Sequence, residues 1–344
     1  MFLIRSAEPR DFSAVFRLSR LLDSYNLPAD HGFVRGLLKD SAASFSGRAL
    51  PVERKRFLFV AEDIQRQNVV GCSLIIARHG TKKLPHIAFR VERGHKPGRT
   101  LKLVVNRSGY TEIGGLALLP AYRRRPERIA TQLSYVRFAF MAWNPSRFCP
   151  RVLVEYFPKL DRSGGNSFWR VLGARFTGLS YREADRLSIS SKEFILSLFP
   201  KEKIDCGLLP KSAVRDVGIP GPGAQASLHM LGKIGFRYMN QVDPFDGGPH
   251  YSVLLRKISV VQQTSFFRLS PHIIPSPAKR GEERRGVYRR RGKQALIMSI
   301  KAGFVRAAIS GFVTKGNAIR LLASVTRALA LKPGDRVSVT PMGR

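Results

Sequence analysis

The chain has 344 residues, 44% of them hydrophobic, which excludes a globally disordered protein and gives length enough for two domains or one domain with a large appendage. The formal net charge of +35 means that the surface attracts anions, whether nucleic acid, anionic lipid or a polyphosphate cofactor. Cys72, Cys149 and Cys206 are far apart and form no CxxC pair, which excludes a zinc site of the usual spacing and a disulfide scaffold, and suits a reducing cytoplasm. The opening MFLIRSAEPR lacks a signal-peptide apolar run, and no run of about eighteen apolar residues occurs, so no membrane span is expected.

A short apolar run, Phe2 to Ile4, leads the chain. Asp11 then stands as a plausible cap for a helix whose Val15, Leu18 and Leu22 share one face, and a second helix is predicted over Phe33 to Phe45. Arg56 to Ala61 reads as a strand, polar residues follow to Asn68, and Val69 to Ala77 is a second strand, together a hairpin. Residues 80 to 109 are basic and poorly periodic, a loop that could hold a strand pair. Thr111 to Leu119 is a strand with Gly114 and Gly115 near its middle, ended by Pro120. Then comes YRRRPERIATQL, residues 122 to 133. Ile129, Leu133, Val136 and Phe140 recur at steps of 4, 3 and 4, so an amphipathic helix starts near Arg128.

Val152 to Tyr156 is a further strand. Helical signals cover Asn166 to Leu172 (stopped by Gly173), Lys192 to Leu198, and Ala226 to Ile234 before Gly235. The composition shifts after about residue 260. KRGEERRGVYRRRGK, residues 279 to 293, holds eight basic and two acidic residues and reads as a solvated loop, with a nucleic-acid arm as the sharper alternative. Ala295 to Ile300 is strand-like, Ile319 to Leu331 helical, Pro333-Gly334-Asp335 a turn, and Arg336 to Thr340 an alternating strand. Strands and helices mixed in this order imply an α/β or α+β sheet domain.

The junction at 122 to 133 carries chemistry. A strand that turns into a helix start exposes backbone N–H groups with no helical partner, and these together with the helix dipole bind anions. Here the sequence resembles the GCN5-related acyl-CoA N-acyltransferase superfamily, whose pyrophosphate turn reads Gln or Arg, two residues, Gly, one residue, Gly or Ala. Arg125 and Ala130 match its first and last places, and Arg128 stands where the first glycine belongs.

Further pieces resemble one branch, the arginine N-succinyltransferase family. They are Leu27-Pro28-Ala29, Phe57 to Asp63, the strand Glu112 to Leu118, Arg137 to Ala142, Ser167-Phe168-Trp169 with Leu172-Gly173, Phe199-Pro200-Lys201, Gly235 to Tyr238, Asp243 to Pro249, and Lys332 to Val337. The resemblance spans nearly the whole chain and lapses around residues 258 to 292. It implies a mixed sheet flanked by helices with a C-terminal α+β extension: an acyltransferase-like core over 1–257, a basic connector over 258–294 and a subdomain over 295–344. It also implies transfer of succinyl from succinyl-CoA to the α-amine of arginine or a related amine, in arginine catabolism in the cytoplasm, with no metal and with an oligomer possible. The alternative is a catalytically impaired or repurposed member of the family that binds nucleic acid or an acidic partner, which the charge allows and the resemblance does not favour.

The same resemblance implies cofactor contacts at Leu116, Ala117, Leu118, Arg125, Arg128, Ile129 and Ala130. The backbone of the strand would pair with the pantetheine arm and the turn would hold the phosphates. The family's proton-donating histidine falls at Gly221 here, so it is missing. Glu112 and Glu155 are replacement bases on their residue type and strand positions, and His229 is a nearby imidazole eight residues on, inside a helix. Asp243 and Asp246 in DPFDGGP are turn formers first and amine-binding carboxylates second.

Overall fold

The computed structural model describes residues 1–22, 26–94, 98–158, 167–272 and 294–343. β1 (Phe2–Ser6) is followed by helices α1 (Phe12–Leu22) and α2 (His31–Phe45), then by antiparallel β2 (Arg56–Asp63) and β3 (Asn68–His79). β4 (His86–Arg93), β5 (Arg99–Asn106) and β6 (Tyr110–Leu118) precede α3 (Ile129–Trp143). β7 (Arg151–Glu155), the short β8 (Ile204–Asp205), β9 (Arg237–Val242) and β10 (Pro249–Leu254) are interspersed with short helices. β11 (Ser265–Leu269), β12 (Gln294–Lys301), β13 (Phe304–Lys315), β14 (Ala318–Leu321) and β15 (Arg336–Pro341) follow. The mixture is the expected α+β class. Among the described residues no helix is long and apolar enough to cross a membrane.

Two compact units form, and they do not follow chain order. One comprises Met1–Ala77, Ile113–Phe148 and Ile258–Arg344, and the other Arg78–Glu112 and Cys149–Lys257.

In the first unit β2 is buried on both faces, and its alternation sorts two sets of side chains. Phe57 and Phe59 meet Phe45 of α2 and Phe140 of α3, with ring centroids between 4.9 and 5.7 Å apart. Leu58 and Val60 pack with Val15 and Leu18 of α1 and Leu37 and Leu38 of α2. Asp11 ends the 3-10 turn Pro9–Asp11 that leads into α1, and its Oδ2 accepts from Glu8 N at 2.8 Å, a capping box. It is buried, and accepts from Arg5 Nη1 and Nη2 at 2.7 and 2.8 Å, while Arg5 Nε donates to Glu62 at 2.6 Å. A buried guanidinium needs such partners.

The last five strands of the chain close on themselves. β12 pairs with β15, β15 with β11, β11 with β14, β14 with β13, and β13 back to β12. Leu269, Ile297, Ile319, Leu321, Val337 and Val339 lie in the core of this ring, which joins the rest of the unit where β13 pairs with β1. The ring corrects one expectation. Ile319 to Leu331 is not a single helix: Ile319 and Leu321 are buried and Arg320 is exposed, a period of two that makes β14, and the helix is confined to Ala323–Ala328. Part of the expected connector is regular as well, as the helix Ser259–Gln263 and β11; the charge run at 279 to 293 lies outside the described residues.

In the second unit the strands run β6–β7–β10–β9–β4–β5–β8, and only the β6–β7 pair is parallel. The segment 80 to 109 is therefore mostly the β4–β5 hairpin. Phe89, Phe168, Trp169, Phe199 and Phe245 form its core with short helices. The helix that contains Trp169, Ser167–Val171, ends just before Gly173, as expected. A Cβ there would lie 2.2 Å from the indole, so glycine lets Trp169 pack while a second helix, Gly173–Thr177, begins.

Phe140 touches the rings of Phe45, Phe57, Phe59 and Phe148. Phe140→Ala is expected to cost about 3–5 kcal/mol through lost burial and the cavity left behind. Denaturant unfolding of the two proteins measures this, and an unchanged midpoint would contradict the packing described.

Candidate active site

In the first unit β6 ends at Leu118, a turn at Pro120–Tyr122 follows, and the chain reaches α3 through Arg128. Arg128 has φ +53° and ψ +45°, the left-handed region, where glycine is relaxed and a side chain is strained. This accounts for the glycine of the related motif. The Arg128 side chain turns to the C-terminal segment, where Nη1 donates to the carbonyls of Met342 at 3.1 Å and Gly343 at 2.7 Å. The Arg128 side chain makes no capping bond to the first turn of α3, and the leading N–H groups of a helix, here those of Ile129 and Ala130, have no intrahelical acceptor. Arg125 lies over the Tyr122 ring at 5.1 Å, and Arg123 Nε donates to the Leu118 carbonyl at 3.1 Å. Leu116 is half-buried and Ala117 and Leu118 are buried; Gly115 has φ +56°, a local break in the strand.

The second unit gathers a different set. The β7–β10 register places Glu155 directly opposite His250. The β6–β7 register places Glu112 opposite Leu153, two residues before Glu155 and so on the same face. His86 opens β4 and donates from Nε2 to Glu155 Oε1 at 3.1 Å; His250 Nε2 lies 3.6 Å from the same oxygen. His79 Nδ1 is 2.8 Å from Glu112 Oε2. Asp243 completes the group, with a carboxylate oxygen within 4.8 Å of Glu155 and His250 ligand atoms. His86, His250 and Glu112 are buried, whereas the side chains of Glu155 and His79 keep 23% and 29% of their surface, so the cluster is open on that side.

Electrostatics follow from this arrangement. Burial opposes ionisation of Glu155, but the charges on His250 and His79 and the hydrogen bond from His86 outweigh it and hold the carboxyl below its usual range. At His86 burial dominates and pushes the imidazole down to about 4, so the ring is a neutral donor to Glu155 at pH 7. At His79 burial also opposes charge, yet Glu112 and Glu155 prevail and raise its pKa. Burial and the charge on Glu155 push Asp243 up.

The structure thus brings together Glu112, Glu155 and Asp243 of the predicted site residues. Asp243 is also the turn former expected, since its Oδ1 accepts from Phe245 N at 2.7 Å. Asp246 is buried and accepts from Gly248 N at 2.6 Å, a turn role. His229 is exposed on the helix Gln225–Lys233 and belongs to neither of the acid–histidine groupings. Gly221 lies against the residues just after Glu155: its N–H donates to the Phe157 carbonyl at 2.8 Å, and an added Cβ would sit 2.9 Å from the Pro158 oxygen and 3.2 Å from the Phe157 oxygen. A histidine there would collide with backbone. His79, His86 and His250 were not singled out from sequence, because no local spacing links them and only strand pairing does.

Comparison with known proteins adds the following. A sequence profile for the family described as "Arginine N-succinyltransferase beta subunit" matches residues 2–260. The chain is similar to "Arginine N-succinyltransferase subunit alpha" of Pseudomonas aeruginosa, 32% identical over 293 residues, 82% of this chain and 85% of that one. It is also similar to "Arginine N-succinyltransferase" of Photorhabdus laumondii, 27% identical over 99% of this chain and 98% of that one. The solved structure of arginine/ornithine succinyltransferase subunit AI from Pseudomonas aeruginosa superposes with a TM-score of 0.78 at 25% identity, covering 100% of this chain and 99% of that one.

The geometry of Arg128 separates two effects. Arg128→Ala loses the bonds to Met342 and Gly343 and keeps the strained φ, whereas Arg128→Gly loses the bonds and relieves the strain. Arg128→Gly is therefore expected to be the more stable of the two by about 1 kcal/mol. Calorimetric melting of both variants tests this; an alanine variant at least as stable as the glycine variant would refute the strain.

Proposed function

Because the chain belongs to the arginine N-succinyltransferase family, we propose that it transfers a succinyl group from succinyl-CoA to the α-amine of arginine or a closely related cationic amine. The observation that carries the chemistry is the ionised Glu155, partly open to solvent and set beside Glu112, His79 and Asp243. A thioester is attacked only by a neutral amine, and arginine arrives with its α-amine protonated. The carboxylates attract that cation, and Glu155 accepts the ammonium proton directly or through a water. The amine nitrogen then bonds to the thioester carbonyl carbon. The carbon–sulfur bond breaks, the nitrogen gives up its second proton to solvent to become the amide, and the departing thiolate takes a proton. His79, held towards its charged form by Glu112, supplies that proton in place of the histidine missing at Gly221.

On the acyl-donor side, the uncapped start of α3 and the arginines at 123 to 125 take the CoA phosphates. The backbone of β6 from Leu116 to Leu118 pairs with the pantetheine arm. The strong positive charge then has a polyanionic co-substrate to attract. Arg128 is accommodated because its side chain is drawn to the C-terminal carbonyls. The proposal includes a cytoplasmic setting, where these substrates occur, and assembly into an oligomer, since relatives are named as subunits.

Calorimetry with coenzyme A and succinyl-CoA, and release of free thiol with arginine, ornithine and polyamines as acceptors, test this directly. Both are run in chelator. Arginine-dependent thiol release is expected, and absence of coenzyme A binding at millimolar ligand would overturn the proposal. Glu155→Gln is expected to lower kcat about 10²- to 10⁴-fold with coenzyme A affinity unchanged. A variant that turns over at the wild-type rate would remove Glu155 from proton transfer.

A further inference from the structure

Acyl transfer needs one proton acceptor and one proton donor. The second unit holds more than that: three imidazoles and three carboxylates in one cluster. His79, His86 and Glu155 each offer one ligand atom, and these atoms all lie within 4.8 Å of one another. His86 Nε2 and Glu155 Oε1 are 3.1 Å apart. Ligand atoms bound to one tetrahedral cation at about 2.0–2.1 Å stand about 3.3 Å from each other, so this pair already has the spacing of two ligands on one ion.

The surroundings carry the same signature. Glu112 holds His79 through Nδ1 at 2.8 Å. A carboxylate on one ring nitrogen fixes the orientation of a metal-binding histidine and makes the other nitrogen, here Nε2, more basic. An independent observation comes from His250. It is 0% exposed, and among the described residues neither of its ring nitrogens has a hydrogen-bond partner. A buried polar group without a partner is destabilising, and this one faces the shared carboxylate, with Nε2 3.6 Å from Glu155 Oε1. It belongs, with Asp243, to a second set of potential ligands built on the same Glu155. The rings of His79 and His86 are 5.2 Å apart and those of His86 and His250 5.1 Å, so the three imidazoles form one contiguous group.

We propose that the second unit binds a divalent transition-metal ion of the zinc class on His79, His86 and Glu155, with His250 and Asp243 beside it and Glu112 positioning His79. Imidazole nitrogen with carboxylate oxygen selects such ions over magnesium or calcium, which prefer all-oxygen sets. The exposed edges of His79 and Glu155 provide the entry path. The inference concerns cation binding and does not depend on acyl transfer. Metal and proton would compete for Glu155, which is why the transfer assay belongs in chelator.

The test uses the full chain, stripped with chelator and dialysed. Zn²⁺ is titrated calorimetrically, bound metal is counted by elemental analysis, and Co²⁺ is added to read ligand geometry from its visible spectrum. One Zn²⁺ per chain is expected, with micromolar or tighter affinity and a Co²⁺ spectrum typical of low coordination number. Glu112→Gln should weaken binding about 10- to 100-fold, as loss of a carboxylate behind a histidine ligand does, and His79→Ala and His86→Ala by more. His229→Ala, on an exposed helix position, should leave uptake unchanged. Far-UV circular dichroism and coenzyme A calorimetry establish that each variant is folded. No saturable uptake of Zn²⁺ or Co²⁺ by the wild-type chain would overturn the proposal, and so would uptake that survives His79→Ala in a folded protein.

Discussion

A carboxylate withdrawn from water is stable only where opposite charge and hydrogen bonds replace the water it lost. Glu155 stands in that position, and its neighbours follow from it. His86 donates to it as a neutral ring, His79 is drawn towards its charged form, and Asp243 is pushed the other way by the same negative charge. These states rest on strand register. His250 faces Glu155 because β10 pairs with β7 residue for residue along the stretch from Arg151 to Glu155. A slip of one residue would carry Glu155 to the opposite face and scatter the cluster. The aromatic core around Trp169 and Phe245 underlies this sheet and holds β9 and β4 in place.

The strand-to-helix turn of the first unit depends on a different constraint. α3 must begin sharply after β6, and the residue at its start must accept a left-handed backbone. Glycine meets that demand at little cost. Arginine meets it with strain, offset by two hydrogen bonds to carbonyls some two hundred positions further along the chain. The substitution that looks disruptive in the motif therefore leaves the start of the helix uncapped and ties the turn to the C-terminal segment.

Gly221 shows the same logic from the opposite direction. Family resemblance places a histidine there, and the backbone of residues 157 and 158 leaves no room for a Cβ. Imidazoles appear instead at 79, 86 and 250, on β3, β4 and β10 of the sheet around Glu155. The acid and imidazole groups gathered around Glu155 thus stand on the strands of the sheet and not on the segment that leads into the helix Gln225–Lys233.

Much of the fold was legible locally. The 4-3-4 spacing of Ile129, Leu133, Val136 and Phe140 specifies α3, and the β-branched and aromatic run at 56 to 61 specifies β2, because period and propensity act within a few residues. Chain-long resemblance extended this to the family. The boundary at Ile319 was not legible, because a short apolar run fits strand and helix alike until a five-stranded ring supplies partners for it. The pairing of Asp11 with Arg5 was not legible either, because it is defined by burial. By itself the sequence determined α3 and β2, and singled out the turn at 122 to 133 and the carboxylates Glu112, Glu155 and Asp243 as candidates. Only the tertiary structure decided that these meet His79, His86 and His250, since residues so far apart in the chain become neighbours through cross-strand register, which no local period encodes.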